Sequence, residues 1–345
     1  MTFVRWMTAV VLAIVCVSGS ATVPLRGHGD VPAVCIRATA GHDAFCDVAG
    51  LRLHYIDWGG SGPPIILLTG LGNSAHIFDE FAPMLRRGHR VIAITRRGYG
   101  ASDSPKDGDY TNAALVGDIL GIMDGLGIAR ASFVGHSIAG GELATLGKDH
   151  PDRVARLVYL DSAYDRARAL ELMAALPAMP QAPAADRASL DSLATWRAAS
   201  LGTTQTRAVR ADLAAIMQVG PAGYAPKADP EAAMAILRGD IAAPPQWDRI
   251  AAPSLAFFTS KDVADQVPPN ATPEQRAAFV QASVTHLRPW MLAAKADFTR
   301  RARCGVAVEV PHSTHHLFLE RPRWTADAIL AFLASDAPCQ WRLPD

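Results

Sequence analysis

The chain has 345 residues, with 33 basic and 33 acidic side chains and 50% hydrophobic residues. Zero formal net charge removes the electrostatic basis for nucleic-acid or anionic-membrane recognition and points to a small-molecule substrate as partner. The length supplies one large core plus an insertion or a second small unit, and carries no signal about oligomeric state.

At the N-terminus one basic residue, Arg5, precedes an apolar core from Met7 to Val17, and the small residues Ser18, Gly19, Ser20 and Ala21 follow. This layout predicts a cleaved secretory signal over residues 1–22 and a secreted or periplasmic product. The apolar core falls short of the about 20 residues that a membrane span needs, so no stable membrane anchor is expected. Val15 before Cys16 argues against a lipid anchor. Cleavage would leave Cys35, Cys46, Cys304 and Cys339, an even number in an exported chain. Disulfides are expected, with Cys35 to Cys46 and Cys304 to Cys339 favoured because each ties a terminal segment to nearby chain. None of the four has metal-ligand spacing, and no metal or cofactor is expected.

Short apolar, β-branched runs then alternate with longer helical patterns. Strands are predicted near Phe45 to Val48 and at LRLHYIDWG (51–59), PPIILLTG (63–70), RVIAITRRG (90–98), ASFVG (131–135), ARLVYLD (155–161), PSLAFFTS (253–260) and GVAVEV (305–310). Helical periodicity marks residues 74–88, where Ile77, Phe78, Phe81 and Leu85 share a face, and returns from Thr111, after Ser137, over 273–301 and over 321–334. The alternation predicts an α/β class fold, a doubly wound, mainly parallel, eight-stranded sheet. From Arg166 to Ile250 the texture becomes rich in Ala, Pro, Met and Arg without a convincing strand. This stretch is read as an inserted helical cap (166–250), with the core formed by 23–165 and 251–345.

The most informative segment is Gly135-His136-Ser137-Ile138-Ala139, between a buried strand and a helix. Small residues two before and two after the serine let strand and helix approach closely around a sharp turn, the geometry that exposes a nucleophilic hydroxyl. Such a serine needs a base, an orienting acid and oxyanion donors, each at the C-terminal end of a strand. Asp262, in the turn after PSLAFF, is the first choice of acid, with Asp265 as its alternative. The base is one of His312, His315 and His316, after GVAVEV. Oxyanion donors must be fixed backbone amides, and those of Ile138 and Leu71 are the candidates, the latter in the turn Gly70-Leu71-Gly72-Asn73. Met173, Met179, Trp196, Met217 and Tyr224 are candidate cap residues lining an apolar substrate pocket.

With these residues assembled, the chain from about Val48 to Ser335 resembles the α/β-hydrolase fold superfamily of the type with a helical cap. GHSIAGG, ITRRGYGASDSP and HHLFLERP carry the resemblance. In the last, the family's catalytic histidine stands five residues before the glutamate, which selects His315 from Glu320 and leaves His316 as a neighbouring cavity or packing residue and His312 at the surface. The same likeness carries the acid to Asp262. Ala139 stands where glycine is usual, and Thr69 where many relatives have the histidine of a His-Gly pair, so a different bracing of the oxyanion loop is implied. The resemblance implies a serine hydrolase, by default a carboxylesterase-like enzyme acting on a small, apolar ester through a Ser137-His315-Asp262 triad. Amide or peptide cleavage of the proline iminopeptidase type, lactone opening and carbon–carbon bond hydrolysis are the alternatives within enzymes. Ser137 argues against dehalogenase and epoxide hydrolase chemistry, which use an aspartate at that position. A noncatalytic ligand-binding protein on the same fold is the alternative of another class.

Overall fold

The computed structural model describes residues 33–343, apart from 37–38, 179, 205, 229, 261–266 and 268–269. The expected signal segment lies outside the described residues. Its strands are β1 (Val34–Ile36), β2 (Asp43–Val48), β3 (Leu51–Gly59), β4 (Pro64–Leu68), β5 (Arg90–Ile94), β6 (Ala131–His136), β7 (Val154–Leu160), β8 (Met217–Gly220), β9 (Gly223–Pro226), β10 (Ser254–Ser260) and β11 (Gly305–Pro311). The helices are α1 (Ala82–Leu85), α2 (Asn112–Gly125), α3 (Ala139–Asp149), α4 (Ala169–Ala175), α5 (Leu190–Ser200), α6 (Thr206–Ile216), α7 (Pro230–Ile241), α8 (Pro273–Ala282), α9 (Arg288–Arg301), α10 (Leu317–Glu320) and α11 (Pro322–Ala334).

Nine strands form one sheet in the order β1-β2-β3-β5-β4-β6-β7-β10-β11. β1, β2, β3 and β5 pair antiparallel, and every pairing from β5 through β4, β6, β7 and β10 to β11 is parallel. The parallel centre is apolar because helices cover both faces, and all six residues of β6 are buried. The eight expected strands are all present. The ninth, β1, extends the antiparallel edge by three residues. It is anchored where Cys35 lies opposite Cys46 in register, their Cα atoms 4.0 Å apart and their sulfurs at bonding distance. Cys304 and Cys339 meet likewise, at a Cα separation of 4.6 Å, and tie the start of β11 to the turn Pro338–Gln340.

The segment between β7 and β10 holds α4 to α7 together with the β8–β9 hairpin, a small antiparallel pair that the sequence texture does not announce. Leu193, Ala194, Val209 and Leu213, on α5 and α6, belong to the same apolar cluster as Phe78, Phe81 and Phe318 of the core. Much of this insertion is therefore packed against the body of the protein. The expected helical run over 273–301 is α8 and α9 joined by a π-helical turn at Ser283–Leu287. Pro289, just inside α9, has no N–H to give to the preceding turn, and a widened turn accommodates that loss.

Loop closure by Cys304–Cys339 spans 35 residues, a separation for which chain entropy favours the folded state by about 4 kcal/mol. Cys304→Ser is expected to lower urea-unfolding stability by about 2–4 kcal/mol, with a steeper slope against urea concentration because the uncrosslinked unfolded chain exposes more surface.

Candidate functional site

Adjacent strands bring the candidate reacting groups together. In the parallel β6–β7 pair His136 lies opposite Leu160, so Ser137 and Asp161 leave the sheet side by side, one residue beyond that pair. Both turn sharply, with φ of 57° at Ser137 and 47° at Asp161. A left-handed conformation costs a non-glycine residue about 1–2 kcal/mol and persists only where neighbours fix it. The Ser137 N–H donates to Leu160 O at 3.2 Å. Its carbonyl accepts from Gly140 N at 3.1 Å and from the Arg166 guanidinium at 2.7 Å. Gly140 is required by close approach, since a Cβ there would lie 1.8 Å from the Ser162 carbonyl oxygen. Ala139, in place of the usual glycine, is accommodated fully buried.

His315 comes from the loop after β11, and its Nδ1 stands 2.6 Å from Asp161 Oδ2. Glu320 shapes that loop, accepting from Thr314 N at 2.6 Å and Ser313 Oγ at 3.0 Å. This gives a physical reason for the five-residue spacing between His315 and Glu320. His136, buried beneath, can only donate to the carbonyl of His315, which places its proton on Nε2, 3.0 Å from that oxygen. Burial, and then the neighbouring His315, hold His136 well below the ordinary imidazole pKa, so it stays neutral. His316 packs against His136 and Phe318, and His312 is exposed at the cavity rim, as expected of both.

The carboxylate found beside His315 is one the sequence reading did not name. Asp262 and its alternative Asp265 lie outside the described residues, and Asp161 holds the imidazole. Asp161 is buried and accepts from Thr259 N at 3.2 Å, Thr259 Oγ1 at 2.9 Å and the Tyr164 hydroxyl. Burial by itself would raise its pKa, but the hydrogen bonds from His315, Tyr164 and Thr259 outweigh it and keep the carboxyl below its ordinary range. The available signal was an aspartate directly ending the buried strand ARLVYLD.

Ile138 opens α3, where its N–H has no acceptor within the helix. Leu71 packs against the apolar cluster that contains Ile138. The bracing that Thr69 implied must differ is supplied by Arg96 and Asp212. Arg96 donates to the carbonyls of Thr69 and Gly70, at 3.0 and 3.5 Å, while forming a two-pronged pair with Glu142 of α3 at 2.6 and 3.0 Å. Asp212, on α6, accepts from Asn73 Nδ2 at 2.7 Å, Ser74 N at 2.6 Å and Ser74 Oγ at 2.8 Å.

Ser137, Asp161 and His315 line one cavity of about 690 Å³. Its apolar wall is formed by Phe258 of β10 and by Phe279, Leu287, Trp290 and Met291 of the α8–α9 run. Trp290 stacks on Tyr164 at 4.6 Å between ring centroids, linking this wall to the acid. The cap residues expected there lie elsewhere. Met173 is exposed on α4, Trp196 donates to Asn270, and Met217 and Tyr224 pack against the large core cluster. Met179 lies outside the described residues. Apolar spacing on those helices serves core packing, which helical periodicity alone does not distinguish from a pocket lining.

Burial pushes the Asp212 carboxyl up to about 6 from an ordinary 3.8, despite its three hydrogen-bond donors. Between these values the folded chain binds a proton that the unfolded chain has released, so this site's contribution to stability falls as pH rises from about 4 to about 6. The Tm of Asp212→Asn relative to the unsubstituted protein is expected to move in the variant's favour across that interval. A difference independent of pH would contradict the assignment.

Over residues 63–322 the chain matches the family model described as alpha/beta hydrolase fold. It is 36% identical over 118 residues to 2-hydroxymuconate semialdehyde hydrolase of Pseudomonas sp. (strain CF600), covering 33% of this chain and 41% of that protein. It is 36% identical over 107 residues to fluoroacetate dehalogenase of Burkholderia sp., covering 30% of this chain and 35% of that one. The matches thus span well under half the length of these curated relatives. Among solved structures, E-2-(acetamidomethylene)succinate hydrolase superposes with a TM-score of 0.62 at 21% identity, covering 85% of this chain and 99% of the other, a likeness of fold alone. With the family match extending over most of the described core and over the strand ends that carry Ser137, Asp161 and His315, the chain belongs to the alpha/beta hydrolase fold family.

Proposed function

We propose that this hydrolase-family protein is a serine hydrolase that cleaves a small, apolar ester through an acyl-enzyme. The observation that carries the reading is the 2.6 Å contact of His315 Nδ1 with Asp161, in the cavity that also holds Ser137 on its left-handed turn. Ser137 Oγ attacks the carbonyl carbon as His315 Nε2 takes its proton. Asp161 accepts the Nδ1–H bond, fixing the tautomer and stabilising the imidazolium. The amides of Ile138 and Leu71 receive the oxyanion. His315 returns the proton to the leaving alcohol, and the acyl-enzyme is then opened by a water that the same imidazole deprotonates. The apolar wall of Phe258, Leu287, Trp290 and Met291 favours an uncharged acyl or alkyl group.

A fluorophosphonate probe is expected to label the folded protein at Ser137, and labelling is expected to vanish in Ser137→Ala and His315→Ala. An unlabelled wild type would favour a noncatalytic binding protein. Asp161→Asn is expected to lower kcat by roughly 10³–10⁴-fold, because the wrong tautomer cannot accept the serine proton, whereas Asp262→Asn is expected to stay within a few-fold. Chromogenic acyl esters of graded length, assayed beside a lactone, an aminoacyl amide and a β-diketone, would rank the bond types, with short esters expected to lead.

Export is part of the same proposal. It is supported by the basic-apolar-small order of residues 1–22 and by the two cysteine pairs at bonding distance. Mass analysis of protein from the native host is expected to show a chain starting near Ala21 or Thr22 with no alkylatable thiol before reduction. Four alkylatable thiols in that product would overturn the disulfide part.

A further inference from the structure

The geometry points to a divalent transition-metal site, of the zinc-binding class, formed by Asp43, His54 and His76 on the face of the sheet edge beside the oxyanion loop. Asp43 begins β2, His54 lies in β3, and His76 sits in the 3₁₀ turn Ala75–Phe78 that follows Gly70–Ser74. One donor atom from each of the three lies within 4.8 Å of the other two. Asp43 Oδ1 is 3.4 Å from His54 Nε2 and 3.2 Å from His76 Nε2. Two ligands bound at about 2.1 Å to a tetrahedral ion are about 3.4 Å apart. These separations therefore match two edges of such a site, with water as the fourth ligand.

The second observation is independent of that spacing. His54 is 1% exposed, and its Nε2, directed at Asp43 and His76, makes no hydrogen bond among the described residues. A buried ring nitrogen that only faces Asp43 Oδ1 at 3.4 Å, with no well-formed hydrogen bond, carries a desolvation cost that a bound cation would offset. The remote nitrogen of each ring has a side-chain neighbour. His54 Nδ1 is 2.8 Å from Thr95 Oγ1, which itself accepts from Ala75 N. His76 Nδ1 is 3.1 Å from Asp79 Oδ2, the carboxylate–histidine pairing that orients a ligand ring. The donors are one carboxylate and two imidazoles, so cysteine spacing gave no hint of a metal. An ion here would fasten the β2–β3 hairpin to the turn that follows the oxyanion loop. Its role is structural, and its test is independent of the catalytic assignment.

The test is calorimetric titration of the intact, EDTA-treated and dialysed protein with Zn²⁺, paired with thermal unfolding. The expected result is one Zn²⁺ per chain and a Tm raised by several degrees in saturating metal. Binding and Tm shift are both expected to be lost in His76→Gln and Asp43→Asn, the two ligands exposed enough for their variants to fold, and retained in His315→Ala. Absence of stoichiometric binding would overturn the site, leaving a cluster in which a protonated His76 bridges Asp43 and Asp79. Binding that survives both variants would overturn it equally, because the metal would then sit elsewhere.

Discussion

The hydrogen bond between His315 and Asp161 is the contact around which this end of the molecule is organised. A buried carboxylate is tolerated only when donors replace its water. Here Thr259, at the end of the neighbouring strand β10, and Tyr164 supply them. Strand order makes this possible, because β7 lies between β6, which presents Ser137, and β10, which presents Thr259. The same Tyr164 stacks on Trp290 of the cavity wall, so the acid, the base and one wall of the cavity share a single chain of contacts.

Three buried arginine–carboxylate pairs surround that chain: Arg96 with Glu142, Arg97 with Asp118, and Arg166 with Asp240. Desolvating both partners makes such pairs poor sources of net stability. Their value lies in what else each guanidinium holds. Arg96 holds the carbonyls of Thr69 and Gly70, Arg97 those of Asp109 and Ala114, and Arg166 that of Ser137. Arg96 and Arg166 hold irregular backbone, after β4 and at the Ser137 turn, and Arg97 ties the loop before α2 to its first turn. The Gly70–Ser74 loop is held from one side by Arg96 and from the other by Asp212.

Much of this was legible in the sequence because it is local. The Gly135–Ala139 turn, the eight main strands, the loop at Leu71 and both cysteine pairings follow from short-range pattern, whereas the choice of His315 among three histidines came from the family resemblance. Asp161 was not legible as the acid. Two strands end near an aspartate, and which carboxylate reaches the imidazole depends on lateral strand order and on Thr259 and Tyr164, information spread over about a hundred residues of chain. The cavity wall was misplaced for a related reason. Met217 and Tyr224 carry the apolar character of a lining but are used in packing, while α8 and α9, amphipathic only weakly in sequence, supply Phe279, Trp290 and Met291. The edge strand β1, three residues long, gains its definition from pairing with β2 across Cys35 and Cys46.

The most direct test of the Asp161 assignment is proton NMR of the His315 Nδ1–H. An imidazole proton shared with a buried carboxylate resonates far downfield, and the expected signal is present in the wild type and in Asp262→Asn but absent from a folded Asp161→Asn. A signal lost in Asp262→Asn and retained in Asp161→Asn would contradict the account.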